Sequence, residues 1–257
     1  MDIRLDGRIA LITGASSGLG ERFAEVLAAS GAKVALAARR TERLEALAAR
    51  IRAAGGVAHP VKMDVTQPES IEAGIAEVAG ALGPIDVLIN NSGVSSAKRL
   101  GDYSESDFDY VMDTNLKGAF FVAQSVGRQM VARARSGSPG PGGRIITIAS
   151  TAGLRPLAQL AVYSMSKAAV IQMTKAFALE WGRFGINSNA ICPGYIETDI
   201  NRDHWHTPAG QKLLQMLPRR RIGSPLDLDA LVVMLASDSA QFINGAVIAA
   251  DDGLSAG

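Results

Sequence analysis

The stretch Arg8-Ile-Ala-Leu-Ile-Thr13-Gly14-Ala-Ser16-Ser17-Gly18-Leu19-Gly20 decides the fold of this chain. An apolar run ends at Thr13, a glycine-rich turn follows, and a helical pattern begins at Gly18. Glycines at such a turn let the backbone approach a pyrophosphate group, whose charge then lies at the N-terminus of the helix. The spacing differs from G-x-G-x-x-G, and a turn without a ligand is the alternative. We predict a dinucleotide site whose first contacts are Gly14, Ser16, Ser17, Gly18, Leu19 and Gly20.

Short apolar segments alternate with longer helical patterns along the rest of the chain. The predicted strands are residues 8–13, 32–38, 57–63, 85–91, 144–150, 186–192 and 246–250. The predicted helices are residues 18–30, 42–54, 68–82, 105–133, 161–183, 208–216 and 226–237. Such alternation is typical of βαβ units, and nearly continuous apolar strands are typical of a sheet covered on both faces. The sequence therefore predicts an α/β fold, a Rossmann-type, doubly wound parallel sheet of seven strands with helices on both faces.

The composition indicates one ordered unit. Apolar residues make up 47% of the 257 residues, enough for a substantial core. No linker rich in proline, glycine and serine separates two self-sufficient halves, so we expect one domain over residues 1–257. One low-complexity patch, residues 136–143, is typical of a mobile surface loop.

Charge and cysteine content limit the partners and the compartment. The formal net charge of +1 does not indicate binding to nucleic acid or to an anionic membrane. We find no apolar signal region at the N-terminus and no apolar stretch near the roughly 20 residues of a membrane span. The single cysteine, Cys192, fits a reducing compartment, so we expect a cytoplasmic protein. His59, His204 and His206 lack partners at metal-ligand spacing, and we predict no metal site.

The end of the second strand indicates which dinucleotide binds. A ribose with a free 2′-hydroxyl usually meets an acidic residue there, whereas arginine suits a 2′-phosphate. Ala38 offers no carboxylate, and Arg39 and Arg40 follow at once. We predict that Arg39 and Arg40 bind NADP(H), with NAD(H) less favoured; two solvated arginines at a helix start are the alternative.

Polar residues also follow the third and fourth strands. Asp64, at the end of the third strand, could accept from the adenine amino group or cap the helix near Thr66. The segment Asn90-Asn91-Ser92-Gly93 ends the fourth strand and suits a wall around the cofactor, although Asn90 could equally make a structural turn. We predict further cofactor contacts from Asp64, Val65, Asn91, Ser92 and Gly93.

The segment that follows the fifth strand holds the candidate catalytic residues. Tyr163 and Lys167 are four residues apart in a helical pattern, so they lie on one face. A free tyrosine has a pKa of about 10, and a nearby ammonium favours phenolate and lowers that pKa. Such a tyrosine is a plausible general acid/base for an alcohol or carbonyl oxygen, to which Ser150 could donate a hydrogen bond. A surface Tyr/Lys pair is the alternative.

Two further segments complete the candidate site. Asn115 interrupts a helical pattern at a cost in helix propensity, and either a kink with a water-binding carbonyl or a buried structural hydrogen bond would explain it. After the sixth strand, Pro193-Gly194 leads to Ile196, Thr198 and a polar, aromatic segment. Residues 195–220 are a candidate substrate lid, the alternative being a surface excursion with a packed Trp205.

Taken in order, these motifs resemble the short-chain dehydrogenase/reductase family, in its single-domain branch. The turn Thr13-Gly14-x-x-x-Gly18-x-Gly20 is similar to the cofactor turn of that family, and residues 90–93 to its Asn-Asn-Ala-Gly element, with Ser92 for alanine. The similarity extends over essentially the whole chain. The family's catalytic tetrad falls on Asn115, Ser150, Tyr163 and Lys167.

The resemblance implies an NAD(P)-dependent oxidoreductase that acts on a secondary alcohol or ketone without a metal. Tyr163 would exchange the proton with the substrate oxygen, Ser150 would orient that oxygen, and Lys167 would lower the tyrosine pKa and hold the nicotinamide ribose. Asn115 would hold a water that links Lys167 to solvent. The further cofactor contacts implied are Tyr163, Lys167, Pro193, Gly194, Ile196 and Thr198.

The resemblance also implies a homo-oligomer, a tetramer or else a dimer, with the helices at residues 105–133 and 161–183 as contacts. Departures from the family pattern are Ser188 in an apolar strand and Asp252 where glycine is common. A 3-oxoacyl-thioester reductase, with Arg219-Arg220-Arg221 attracting a phosphopantetheine carrier, is one alternative, and a solvated basic run is the simpler explanation of those arginines. A non-catalytic cofactor sensor is another alternative. A sugar-nucleotide epimerase would need a different glycine turn.

Overall fold

The computed structural model describes residues 3–137, 142–198 and 201–256. Part of the predicted loop at residues 136–143 and residues 199–200 of the predicted lid lie outside the described residues.

Within the described residues, seven parallel strands form one sheet in the order β3-β2-β1-β4-β5-β6-β7. The strands are β1 Ile9–Thr13, β2 Lys33–Ala38, β3 Val57–Lys62, β4 Val87–Asn90, β5 Arg144–Ile148, β6 Asn187–Pro193 and β7 Val247–Ala250. The chain winds outward from β1 to β3 and then, through a long crossover to β4, outward to β7. The predicted doubly wound parallel sheet is confirmed.

The helices follow the predicted alternation, with one interruption. They are α1 Gly18–Ala29, α2 Thr41–Ala53, α3 Pro68–Ala81, α4 Glu105–Met112, α5 Ala119–Arg135, α6 Ala161–Trp181, α7 Pro208–Met216 and α8 Asp229–Ala236. The predicted single helix at residues 105–133 is divided between α4 and α5 by a π-helical segment, Asp113–Gly118. A π-helix closes its hydrogen bonds over five residues rather than four, and such segments are frequent at functional sites.

Successive side chains along the strands point alternately into two separate apolar cores. On β1, Ile12 points to the core formed with α1, α2 and α8, whereas Leu11 points to the core formed with α3, α5 and α6. Both side chains are fully buried. This is the period-two alternation of a strand covered on both faces.

None of the helices in the described residues combines the length and the apolar character that crossing a membrane requires. No three His, Cys, Asp or Glu side chains among those residues come together as possible metal ligands.

The sheet order places the candidate residues on one edge. The order reverses between β1 and β4, and open parallel sheets bind ligands at the carboxyl ends of the strands beside such a reversal. The glycine-rich turn follows β1 and Ser150 follows β5, so both lie at this edge.

Candidate active site

Three glycines of the turn after β1 stand where a side chain would be strained or would crowd its neighbours. Gly14 has a φ of +67° and Gly18 a φ of +57°, a left-handed conformation that residues with a Cβ rarely adopt. A Cβ on Gly20 would lie 2.3 Å from the carbonyl oxygen of Gly14, and one on Gly18 would lie 3.4 Å from Cγ2 of Thr198. The turn is therefore a bare backbone cradle at the start of α1, with Thr198 against it, and such a cradle fits a pyrophosphate.

The predicted cofactor wall after β4 is tied to this cradle. Oγ1 of Thr13 accepts hydrogen bonds from the backbone N–H groups of Asn91 (2.9 Å) and Ser92 (3.0 Å). The side chain of Asn91 donates to the carbonyl of Thr13 at 3.0 Å. The Asn90 side chain donates to the carbonyl of Ala119 at 2.7 Å. Both amides thus make structural bonds that hold the wall in place, and for Asn90 this is the alternative that the sequence left open.

Of the two arginines after β2, Arg40 reaches the cradle. Its Nη2 donates to Oγ of Ser16 and to Oγ of Ser17, both at 2.8 Å. Arg39 is exposed beside it. The end of β2 therefore presents two guanidinium groups and two hydroxyls, and no carboxylate at Ala38.

The residues after β3 are partly committed to other contacts. Oδ1 of Asp64 accepts hydrogen bonds from the backbone N–H of Thr66 (3.0 Å) and from its hydroxyl (2.8 Å). This is a turn ahead of α3 and not a helix cap, since the N-cap residue of α3 is Gln67. The side chain of Val65 packs in the core shared with α3 and α5. A contact of either residue with the adenine ring stays a prediction.

Tyr163 and Lys167 lie one turn apart on α6, near the end of β5. Nζ of Lys167 donates to the carbonyl of Ile148 at 2.8 Å and lies 5.6 Å from the centre of the Tyr163 ring. Ser150, two residues beyond Ile148, hydrogen-bonds with Tyr163. The structure thus brings together three of the four predicted catalytic side chains.

Burial controls the pKa values of Tyr163 and Lys167. Burial raises the pKa of Tyr163, and the hydrogen bond with Ser150 only partly opposes that rise. Burial also lowers the pKa of Lys167 from 10.5 to about 8. Burial therefore dominates the pKa of Tyr163 in this structure, and the lowering of that pKa by the Lys167 ammonium stays a prediction.

Asn115, the fourth predicted residue, lies in the π-helical segment and is 2% exposed. Its Oδ1 accepts from the backbone N–H of Val94 at 2.8 Å. Its Nδ2 donates to the carbonyl of Val94 (2.9 Å) and to Oγ of Ser166 (3.0 Å). The side chain thus makes the buried structural hydrogen bonds that the sequence offered as one alternative. It also lies near Lys167, since a Cβ on Gly93 would be 3.5 Å from both side chains.

Sequence analysis missed Ser166, which joins two of the predicted residues. Its hydroxyl accepts from Asn115 and donates to the carbonyl of Tyr163 at 2.7 Å. Ser166 is fully buried. Only its spacing, three residues after Tyr163 and one before Lys167, could have indicated it.

The predicted lid begins with a tight passage after β6. A Cβ on Gly194 would lie 2.8 Å from Cα of Asp251, so the chain needs glycine here. Ile196 then pairs with Gly223 in an isolated bridge. Trp205 is 4% exposed and its ring meets Tyr195 edge to face at 5.5 Å. Between this segment and the C-terminal residues lies a cavity of ≈330 Å³. A second cavity, of ≈500 Å³, lies beside Gly18 and Thr198.

In the basic run at residues 219–221, after α7, Arg219 and Arg221 form ion pairs. Asp252 binds Arg219 (3.0 Å) and Arg221 (2.9 Å), and Asp227 binds Arg221 at 3.4 Å. Asp252 has a φ of +58°, which explains why the resemblance leads one to expect glycine there.

Comparison with known proteins identifies the class. The sequence model of the short chain dehydrogenase family matches residues 8–209. D-threitol dehydrogenase of Mycolicibacterium smegmatis is 36% identical over 252 residues, covering 98% of this chain and 94% of that protein. NAD-dependent glycerol dehydrogenase of Listeria innocua is 34% identical, over 98% and 95%. The crystal structure of a gluconate 5-dehydrogenase from Burkholderia cenocepacia with NADP and tartrate has a TM-score of 0.93 and 35% identity, over 100% and 98%.

The chain belongs to the short-chain dehydrogenase/reductase family. It is an NAD(P)-dependent oxidoreductase that acts on secondary alcohols.

Proposed function

We propose that Ser150, Tyr163, Lys167 and Asn115 carry the reaction at the carboxyl end of β5. The observation that supports this most is the convergence of Ser150, Tyr163 and Lys167 beside the glycine cradle. The Tyr163 hydroxyl gives its proton to the substrate oxygen during reduction and takes it back during oxidation. Ser150 donates a hydrogen bond to the same oxygen and orients it. The nicotinamide ring of the bound cofactor supplies or accepts the hydride.

Lys167 and Asn115 support Tyr163 in this proposal. Lys167, with a pKa of about 8, can exchange a proton at a pH where an ordinary lysine would hold it. It also contributes a donor for the nicotinamide ribose. The side-chain atoms of Asn115 are engaged by Val94 and Ser166, so a water that links Lys167 to solvent would bind to its main-chain carbonyl. The remaining predicted cofactor contacts, from the turn after β1 to Thr198, line the same edge.

For the cofactor, we infer a preference for NADP(H). Arg40, Ser16 and Ser17 form a hydrogen-bonded group beside the cradle, and Arg39 adds a second positive charge. Such a group suits a 2′-phosphate, and Ala38 offers no carboxylate to a free 2′-hydroxyl. The relative solved with NADP supports this preference, and the NAD-dependent glycerol dehydrogenase is the counter-example that makes a direct test necessary.

The cofactor experiment compares three charge reversals. We expect Arg39→Asp and Arg40→Asp each to weaken NADPH binding at least tenfold more than NADH binding, as measured by cofactor fluorescence. Arg43→Asp, an exposed position on α2, is the matched control and should leave the NADPH to NADH ratio unchanged. Equal losses for both cofactors at Arg39 and Arg40 would contradict the preference.

For the substrate, we propose the secondary hydroxyl of a small polyhydroxylated compound, such as a polyol or a sugar acid. The names of the relatives, which act on threitol, glycerol and gluconate, support this class. The ion pairs of Arg219 and Arg221 argue against a phosphopantetheine carrier, because Asp252 and Asp227 already engage those charges. Retention of Ser150, Tyr163 and Lys167 argues against a non-catalytic sensor.

A substrate panel tests the function directly. Wild-type protein is mixed with NADP⁺ or NAD⁺ and a series of polyols, sugar acids and 3-hydroxyacyl thioesters, and cofactor reduction is followed by absorbance. We expect turnover of at least one polyol or sugar acid. Turnover of the thioesters alone would favour the acyl reductase, and cofactor binding without any turnover would favour the sensor.

Four further proposals concern the domain, the lid, the assembly and the location. We propose that residues 1–257 form one domain and that residues 195–220 close over the substrate. We also propose a homotetramer, because α4, α5 and α6 expose large apolar side chains, which include Phe108, Phe121, Met165 and Leu179. Light scattering after gel filtration measures the subunit number. A cytoplasmic location is supported by the free, buried Cys192 and is checked by cell fractionation.

A further inference from the structure

Two loops flank the carboxyl end of β5, and one tyrosine joins them. The first loop, residues 93–99, follows β4, and the second, residues 154–160, lies between Ser150 and α6. The hydroxyl of Tyr103 lies 2.7 Å from the carbonyl oxygen of Ser96 and 3.1 Å from that of Gln159, so it donates to one loop and stays within bonding distance of the other. The backbone N–H of Lys98 donates to the same Gln159 carbonyl at 2.9 Å. We call this group, Ser96, Lys98, Tyr103 and Gln159, the loop clasp.

The second loop has an unfavourable backbone conformation at Gln159, the residue whose carbonyl belongs to the clasp. Gln159 has a φ of +64°, which is uncommon and unfavourable for a residue with a Cβ. Such a conformation persists only where the surroundings enforce it. Gln159 lies two residues before α6 and four before Tyr163, so the clasp fixes the point from which the helix with the catalytic tyrosine begins.

The first loop is fastened at both of its ends. Near its start, Val94 is held by both side-chain groups of Asn115. Near its end, Nζ of Lys98 pairs with Asp107, whose carboxylate also accepts from the backbone N–H of Ser104 at 3.0 Å. The ammonium of Lys98 and the Ser104 donors hold the pKa of Asp107 well below its usual range, so this tie persists through the neutral range. With one loop anchored, the clasp sets the position of the other.

We propose that Tyr103 is a positioning residue for the reaction: its hydroxyl holds the two loops together across the substrate entrance. This rests on the proposed function of Ser150 and Tyr163, because it assigns the clasp to the site those residues define. The cofactor cradle lies at the ends of β1 and β2, and Tyr103 contacts neither. Of the predicted cofactor contacts near the two loops, Gly93 is next to Val94, which Asn115 holds, and Lys167 is held by the carbonyl of Ile148. Loss of the clasp therefore affects alcohol or ketone binding, while these separate bonds preserve cofactor binding.

The test removes the hydroxyl alone. Tyr103→Phe keeps the half-buried ring and deletes its hydrogen bonds. We expect the KM for the alcohol to rise about fivefold, the equivalent of one net hydrogen bond, with kcat within about twofold of wild type. The dissociation constant of NADPH should not change. Tyr110→Phe, on the exposed face of α4, is the matched control and should behave as wild type.

A second measurement keeps the inference independent of turnover. Amide hydrogen exchange at residues 93–99 and 154–160 should be faster in Tyr103→Phe and unchanged in Tyr110→Phe. Unchanged exchange in Tyr103→Phe, or a wild-type KM, would overturn the proposal. A wild-type protein without turnover on any alcohol would refute the proposed function, while exchange would still decide whether the clasp exists.

Discussion

Positive charges are buried at both ends of the strands in this sheet, but in different ways. At the amino edge, Arg144 is 2% exposed and donates to the carbonyls of Ser237 (3.1 Å) and Gly143 (3.0 Å) and to Asp238 (3.1 Å). Arg8, also buried, shares the same carboxylate. At the carboxyl edge, Lys167 is 5% exposed and donates to a single backbone carbonyl, that of Ile148.

This difference separates cations with a structural role from the one to which we assign a role in the reaction. The arginines are compensated by hydrogen bonds and a carboxylate, so they hold the sheet edge to the turn at Asp238. Lys167 has no carboxylate within ion-pair distance among the described residues, and its pKa falls to about 8. A buried group in a crevice whose pKa is moved toward neutrality is a candidate for a catalytic role, because its proton can move at the working pH.

The largest effect should come from the hydroxyl at the carboxyl edge. Tyr163→Phe removes the proton donor but keeps the ring, so kcat/KM should fall by about 10²–10⁴-fold while the unfolding temperature changes little. The measurement is cofactor turnover alongside a thermal melt. Tyr110→Phe makes the same chemical change on an exposed helix face and should retain full activity. Comparable turnover in Tyr163→Phe and wild type would contradict the proposed role of Tyr163 as the proton donor.

A matched pair of substitutions tests the comparison through stability. Arg144→Met deletes several buried hydrogen bonds and should lower the free energy of unfolding by about 2–3 kcal/mol, with activity retained in the folded fraction. Lys167→Met removes a poorly compensated buried charge and should leave stability equal or higher, with activity lost. Urea unfolding and turnover are measured for both variants. Equal destabilisation by both would show that the two cations have the same role.

The pH dependence of stability, compared between wild type and Lys167→Met, tests the lowered pKa of Lys167. The pKa of Lys167 is about 8 in the folded protein and 10.5 in its ordinary state, so the unfolded chain binds more protons between those values. The stability of wild type should therefore rise from pH 8 to 10.5 relative to Lys167→Met, and the burial penalty should be complete below pH 8. A constant difference between the two proteins over this range would contradict the lowered pKa.

The smallest effect expected is a change of slope in the pH profile of activity. Because burial raises the pKa of Tyr163, alcohol oxidation needs a phenolate that is scarce at neutral pH, and kcat/KM should rise by up to about tenfold per pH unit. Above about pH 8 the rise should become shallower, since Lys167 then loses the charge that favours phenolate. Ketone reduction, which uses the neutral phenol, should show no such rise.

The sequence predicted the fold well because its signals were local and repeated. Strand and helix patterns alternate, and a glycine-rich turn marks the switch from β1 to α1. The π-helical segment was missed, because an insertion of one residue leaves the apolar pattern on either side intact. Asn115 nevertheless marked the place, as the residue that fits a regular helix poorly.

The arrangement of the site was predictable only where spacing along one element defines it. Tyr163 and Lys167 share a helix, so their proximity follows from four residues of separation. The burial that raises the pKa of Tyr163 could not be predicted, because it depends on packing that no motif records. The partners Arg144 and Asp238 are 94 residues apart, and the clasp joins Tyr103 to Gln159 across 56 residues. Neither pair leaves a signal in a single sequence.

The π-helical segment has a consequence for insertions and deletions in this chain. Each residue of an α-helix turns the following side chains by about 100°. The wider turn of the π-helical segment absorbs one extra residue, so deleting Thr114 would leave ordinary α-helix and keep the apolar faces of α4 and α5 in register. The change would instead fall on Asn115, whose bonds to Val94 and Ser166 start from this wider turn. The extra residue therefore serves the placement of one amide side chain and not the packing of the two helices.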